Sequence, residues 1–169
     1  MSDEQQPKSP VINIDQAEYM DWGKGDRYQA KIAALSPAVG AEKLGYNVTK
    51  LAPGKAAFPY HQHHNNEELF VILEGTGKLR QNGEEYPLRA GDLVSCPAGT
   101  AAAHQIANDS DQELTYLAIS TRLSPEVVQY PDSDKTLVVV GQPMSGEVVM
   151  RRVIPAGVDV DYWDGEASD

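Results

Sequence analysis

The feature that most confines this chain is the close spacing of its turn signals. Short apolar-rich runs are cut again and again by Gly, Pro, Asn and Asp, and no stretch is long enough for an extended amphipathic helix. Tyr28–Leu35, Leu44–Leu51, Glu68–Leu73, Lys78–Gln81, Glu84–Leu88, Leu93–Cys96, His104–Ala107 and Glu113–Ser120 read as strands. Gln81-Asn82-Gly83-Glu84 places Asn-Gly between two of them, where both turn residues must reach positive φ, and predicts a tight hairpin. Arg89–Asp92 and Asn108–Asp111 read as further turns. Ser124-Pro125-Glu126 has serine and proline in the order of an N-cap and first helical position, and predicts one short helix. Asp132–Asp134 is a polar break, and Leu137–Val140 and Val148–Ile154 read as outer strands. Many short strands with frequent turns predict an all-β sandwich or barrel.

The length of 169 residues suits one domain with its own core. Residues 1–10, with the sequence MSDEQQPKSP, read as a disordered tail, 11–155 as the barrel with its flanking strands, and 156–169 as a C-terminal tail. The start has neither the apolar core of a secretory signal nor the arginines of a transit peptide. No apolar run approaches the roughly 20 residues of a membrane helix. A single cysteine, Cys96, excludes an internal disulfide framework and reads as a small buried core residue. These features predict a cytoplasmic protein. The net charge of −11 argues against nucleic acid and anionic membranes as partners. A small anionic substrate remains compatible, because a few cations or a metal can dominate the field inside a pocket.

Three of the four histidines crowd into Tyr60-His61-Gln62-His63-His64. On an extended strand His61 and His63 point to the same face and form a two-imidazole clamp. His64 has the opposite parity and falls outside it. Glu68 opens the next apolar strand, and a chain reversal can bring its carboxylate beside the imidazoles. The neighbouring Glu67 is the alternative; strand parity favours Glu68. His104 begins another strand-like run. Three imidazoles and a carboxylate make a mixed N/O ligand set suited to Fe, Mn, Ni, Zn or Cu, and in an octahedral ion they leave two positions open.

The spacing of these residues resembles the cupin superfamily, in its small single-domain form. The first motif is matched by Gly54, His61, His63, Glu68 and Gly75, with a gap of six rather than five after Gly54. The second is matched by Gly91, Pro97, Gly99, His104 and Asn108, with four residues instead of two between Gly99 and His104. The motifs span residues 54–108. Gly75 and Gly91 suit turns with positive φ, and Pro97 stiffens the loop leading to His104. The resemblance implies a jelly-roll β-barrel, one divalent transition metal ion held by His61, His63, Glu68 and His104, and frequent homodimers. Both faces of Glu68–Leu73 are apolar, so a second cover is needed, from the chain's own termini or from a partner.

The family's chemistries include dioxygenase, isomerase, decarboxylase and lyase reactions on small oxygen-rich molecules. The expectation is therefore a metal-dependent enzyme, with a non-catalytic small-ligand-binding or sensor module as the alternative. No catalytic base stands out. Tyr46, Tyr60, Phe70 and Tyr116 can line a pocket, although aromatics on barrel strands more often belong to the core. Lys78 and Arg80 read as a solvent-facing strand edge. Tyr162 and Trp163 sit among acids near the C-terminus and either dock or remain in solvent.

Overall fold

A computed structural model describes residues 9–99, 101–142 and 147–166. Most of the anticipated N-terminal tail, Thr100 in the loop before His104, and the last three residues lie outside them. Among the described residues thirteen strands follow one another with only two short 3₁₀ turns, Ile14–Gln16 and Pro131–Ser133. The strands are β1 (Met20–Lys24), β2 (Tyr28–Ala34), β3 (Leu44–Leu51), β4 (Gln62–His63), β5 (Glu68–Glu74), β6 (Thr76–Gln81) and β7 (Glu84–Arg89). They continue as β8 (Leu93–Cys96), β9 (His104–Ala107), β10 (Leu114–Thr121), β11 (Glu126–Tyr130), β12 (Lys135–Gln142) and β13 (Glu147–Pro155). Among the described residues no helix is long and apolar enough to cross a membrane.

Among the described residues the pairings are antiparallel apart from one isolated bridge, Tyr28 with Ala56, and non-consecutive strands lie side by side, as a jelly roll requires. A six-stranded sheet has the order β1-β2-β3-β10-β5-β8. Facing it are β7-β6-β9 and a four-stranded sheet ordered β13-β12-β11-β4. Leu51, Phe70, Ile72, Leu79, Ile106 and Leu114 fill the space between the layers. Burial of such side chains stabilises the fold by roughly 1.5–3 kcal/mol each.

The turns work as their residues dictate. Asn82 and Gly83 both have positive φ, 52° and 87°, which matches the twist of the β6–β7 hairpin. Gly75 has φ 79°, and a Cβ there would meet the Glu113 carbonyl oxygen at 2.3 Å, so glycine alone lets β5 turn into β6 beside β10. Buried Asn108 donates to the carbonyls of Leu51 (2.8 Å) and Gln112 (2.6 Å) and accepts from the Ser110 amide (3.0 Å), closing the turn after β9.

The apolar outer face of β5 finds its cover within the chain. Leu73 and Leu117 pack with Ile12, Ala17 and Tyr19 of the N-terminal segment, over Ala33, Leu35 and Val48. Tyr46 belongs to this outer cluster rather than to the barrel interior. The expected helix at Ser124–Glu126 is corrected: Glu126–Tyr130 is a strand paired on both sides, with β12 and with β4. Two adjacent β-branched valines and alternating burial outweigh the capping signal there. Arg80 pairs with Asp132 at 2.7 Å and lies over the Tyr60 ring, and Lys78 pairs with Glu85 at 2.9 Å, so neither enters the cavity. Tyr162 and Trp163 are exposed and meet edge to face at 4.8 Å.

Candidate metal centre

Backbone pairing brings the histidines together. His61 and His104 form an antiparallel bridge, with His61 N–H donating to the His104 carbonyl (3.1 Å) and the reverse bond at 2.8 Å. Their rings are therefore neighbours, with centroids 4.6 Å apart. His63 sits on β4 opposite Val128 of β11, and its carbonyl accepts from the Gly99 amide at 2.8 Å. That bond ties the Pro97–Gly99 loop to the histidine strand, so the longer link before His104 leaves the ring facing the site. Glu68 opens β5 between Ser120 of β10 and Cys96 of β8.

The polar atoms converge on Glu68 Oε2. His104 Nε2 lies 2.9 Å from it, His63 Nε2 3.3 Å and His61 Nε2 3.9 Å. One ligand atom each from His61, Glu68 and His104 falls within 4.8 Å of the others. The far nitrogens are occupied: Nδ1–H of His61 donates to the Pro59 carbonyl (2.7 Å) and Nδ1–H of His104 to the Ala102 carbonyl (2.8 Å). A carbonyl can only accept, so Nδ1 carries a proton, and Nε2 is the nitrogen that faces the cavity and offers its lone pair there when the ring is neutral. Glu68 Oε2 and His104 Nε2 are buried yet make no well-formed hydrogen bond. Buried polar atoms left in this state fit a set of donors that a cation would satisfy.

The electrostatics point the same way. Burial, reinforced by His104, pushes the His61 imidazole down to about 4. Burial also opposes protonation of His63 and His104, but it is outweighed. The Glu126 and Glu68 carboxylates carry His63 up to about 9, and Cys96 and Glu68 carry His104 up to about 10. Burial works to raise Glu68, and the imidazoles of His104 and His63 instead hold it well below the usual carboxylate range. Protons thus stand in for positive charge at a carboxylate that needs it.

The cavity at this site measures about 240 Å³ and is walled by Phe58, Phe70, Tyr116, Val128, Tyr130 and Leu137 besides the polar cluster. Of the aromatics expected at a pocket, Phe70 and Tyr116 line it; Tyr46 and Tyr60 do not. Glu67 is exposed, whereas Glu68 faces the cavity. His64 lies outside the cluster, with Nε2 2.9 Å from Gln129 Oε1. Cys96 is buried and free.

Sequence reasoning missed two residues here. Glu126 accepts from the amides of Asn66 (2.9 Å), Asn65 (3.3 Å) and Val127 (2.9 Å) and from the Asn66 side chain. Its Oε2 lies 3.8 Å from His63 Nδ1, so it braces both the β4–β5 loop and the imidazole. Tyr130 stacks on His61 with centroids 5.9 Å apart, and burial, opposed in part by Arg151, raises its phenol pKa. Both lie on β11, more than sixty positions from the first histidines, and no local spacing marks them.

A family model described as a cupin domain matches residues 47–120, which include all four ligand candidates. A crystal structure of a candidate sugar phosphate isomerase from Acidithiobacillus ferrooxidans superposes with a TM-score of 0.73 at 32% identity, covering 86% of this chain and 88% of that one. A sugar phosphate isomerase from a cupin superfamily, from Silicibacter pomeroyi, gives 0.74 at 25% identity over 87% and 93%. An oxalate-binding protein of Thermotoga maritima is 29% identical over 112 residues, 66% of this chain and 89% of that protein.

Proposed function

Because the chain belongs to the cupin superfamily, as a small single-domain member, we propose that its barrel holds one divalent metal ion on His61, His63, Glu68 and His104 and acts as an enzyme on a small oxygen-rich molecule. The observation that carries this reading is the convergence of three Nε2 atoms on the buried Glu68 Oε2. When bound, the ion supplies Lewis acidity for a chelating enediol, β-diketone or hydroxy acid. The chain supplies orientation and a dry wall. Carbonyls of Pro59 and Ala102 fix two imidazoles, while Phe58, Phe70 and Val128 exclude water. Tyr130 borders the cavity with a phenol that stays protonated at neutral pH, and it is placed to hand a proton to a substrate oxygen. Among isomerase, dioxygenase and lyase chemistry, the likeness to two proteins described as sugar phosphate isomerases favours the isomerase.

The oxalate-binding relative favours a second reading, a cytoplasmic module that holds a small ligand unchanged. A homodimer accompanies either reading. Met150 and Ile154 of β13 are exposed on one face of the strand, and they form an apolar pair suited to a second copy.

Elemental analysis tests the site. Protein purified without added metal is expected to carry near-stoichiometric iron, manganese, nickel, zinc or copper, and His61→Ala and Glu68→Ala to lose it. Wild-type protein that stays metal-free after incubation with these ions overturns the metal reading. If metal is bound but incubated substrates return unchanged, the binding module replaces the enzyme.

A further inference from the structure

The histidine cavity does not end at its aromatic wall. Phe58, Tyr130 and Leu137 border it on one side, and on their other side they border a wider cleft of about 460 Å³. Phe58 and Tyr130 both contact His61, at centroid distances of 6.2 Å and 5.9 Å, so the cleft lies one side chain away from the candidate metal ligands. Its far wall is firm: the Trp22 indole N–H donates to the Ala57 carbonyl at 3.2 Å, and its ring lies 5.8 Å from Phe58.

The charge of this cleft runs against that of the chain. The protein carries a net charge of −11, with only 14 lysines and arginines. Lys24, Lys135 and Arg151 nevertheless line one cleft whose walls include no Asp or Glu. Of the cations outside the cleft, Lys50 pairs with Glu113, Lys78 with Glu85 and Arg80 with Asp132. Among the described residues Lys24, Lys135 and Arg151 have no carboxylate at ion-pair distance. Lys135 instead lies 5.1 Å from the centre of the Tyr130 ring, the same ring that stacks on His61. Three cations gathered without counter-ions, next to a concave aromatic wall, form a ready site for a doubly charged oxyanion, and the planar guanidinium suits a phosphate in particular.

We propose that this cleft is a phosphate subsite, in which Lys24, Lys135 and Arg151 hold the phosphate end of a small molecule whose oxygen-rich end lies in the histidine cavity. The inner half of this proposal rests on the metal reading above; the outer half does not.

The test uses the full chain with Trp163→Phe, which leaves Trp22, in the cleft wall, as the fluorescent reporter. Inorganic phosphate is titrated at constant ionic strength into protein stripped of metal by chelation. Saturable quenching or enhancement is expected, with acetate giving none. Lys135→Gln/Arg151→Gln should weaken phosphate binding by about tenfold or more, whereas Lys31→Gln, on β2 outside the cleft, should not. Glu68→Ala should bind phosphate as its parent does. With Mn²⁺-loaded protein, the bound phosphate should show enhanced ³¹P relaxation that the double variant abolishes. No saturable phosphate response, equal response to acetate, or equal affinity in the double variant overturns the subsite. Binding that depends on Glu68 and not on Lys135 and Arg151 places the anion at the metal, and also overturns it. If the wild type takes up no metal, the inner half falls while the phosphate titration still decides the outer half.

Discussion

The four-stranded sheet β13-β12-β11-β4 has two very different edges. At one, β4 presents His63 to the cavity; at the other, every residue of β13 is exposed. The backbone is paired along both, with one register shift at Val140/Gly141 in the β12–β13 pair, so hydrogen bonding does not separate them. What differs is the number of independent elements that fix each side chain. The site side chains are held from β4, β5, β9, β11 and the loops around Pro59, Ala102 and Asn66. Among the described residues β13 pairs with no strand but its hairpin partner β12. The first edge is over-determined and suited to holding a precise constellation; the second is free to meet something outside the chain.

The sharpest way to break this contrast is to truncate a β-branched side chain to alanine in each region. Ile72 is 1% exposed in the barrel core and Val149 is 76% exposed on β13. Ile72→Ala should cost about 2–5 kcal/mol, through lost burial and a residual cavity. Val149→Ala should stay within about 0.5 kcal/mol. Urea denaturation of chelated protein reads both, and equal losses would show that the hairpin is as buried in solution as the core.

Glu126 is the residue through which the sheet reaches the site, and it yields the next largest effect. Glu126→Gln removes the charge facing His63 and loosens the Asn65–Asn66 loop, while Gln can still accept from the Val127 amide. Weakening of Mn²⁺ or Zn²⁺ affinity by about 10–100-fold is expected, with the fold retained. Competition against a chelator of known affinity measures it, and unchanged affinity would mean that β11 does not orient His63.

These two residues show what was legible beforehand. Leu44–Leu51, Leu93–Cys96 and His104–Ala107 end where the sequence implies, because Pro53, Pro97 and Asn108 close the runs. The ligand candidates were legible because their chemistry is concentrated in two short stretches. Met20–Lys24 was not, since an exposed edge strand containing Gly23 shows no alternation. Glu126, Tyr130, Lys135 and Arg151 were not, because their roles come from a hairpin folding back over the barrel. Such long-range packing leaves no local periodicity, and at Ser124-Pro125 the local signal favoured a helix instead.

The site also predicts a pH signature for the metal-free protein. His63 and His104 rise from 6.5 to about 9 and about 10, so the stability they contribute is full below pH 6.5 and is lost as pH climbs through those values. His61 falls from 6.5 to about 4, so its contribution is present above pH 6.5 and is lost as pH falls toward 4. Glu68, held low, removes stability as pH drops below its ordinary 4.5. Stability of the chelated protein should therefore peak near pH 6.5 and decline on both sides. Metal-loaded protein should lack the alkaline decline, because ligation takes deprotonated imidazoles and strengthens as protons leave. Melting curves from pH 5 to 10, with and without Zn²⁺, test this; parallel profiles would separate these histidines from any metal.

The smallest effect on the chain itself belongs to the exposed edge. Side chains alternate along β13, so Met150 and Ile154 face away from Arg151 and the phosphate cleft. They are 38% and 40% exposed, and no described part of the chain covers them further. If a second copy does, Met150→Glu/Ile154→Glu should place like charges in a shared apolar contact and separate the copies. Light scattering should then fall to the 18.4 kDa of one chain, from twice that in the parent. Metal content should not move, and unfolding of the separated chain should stay within about 0.5 kcal/mol of a parent diluted to monomer, since surface substitutions away from a core rarely do more. A parent already monomeric, or a variant still dimeric, would remove β13 from the interface. A variant that loses metal as it separates would couple the two edges of the sheet, and the contrast between a fixed site and a free margin would no longer hold.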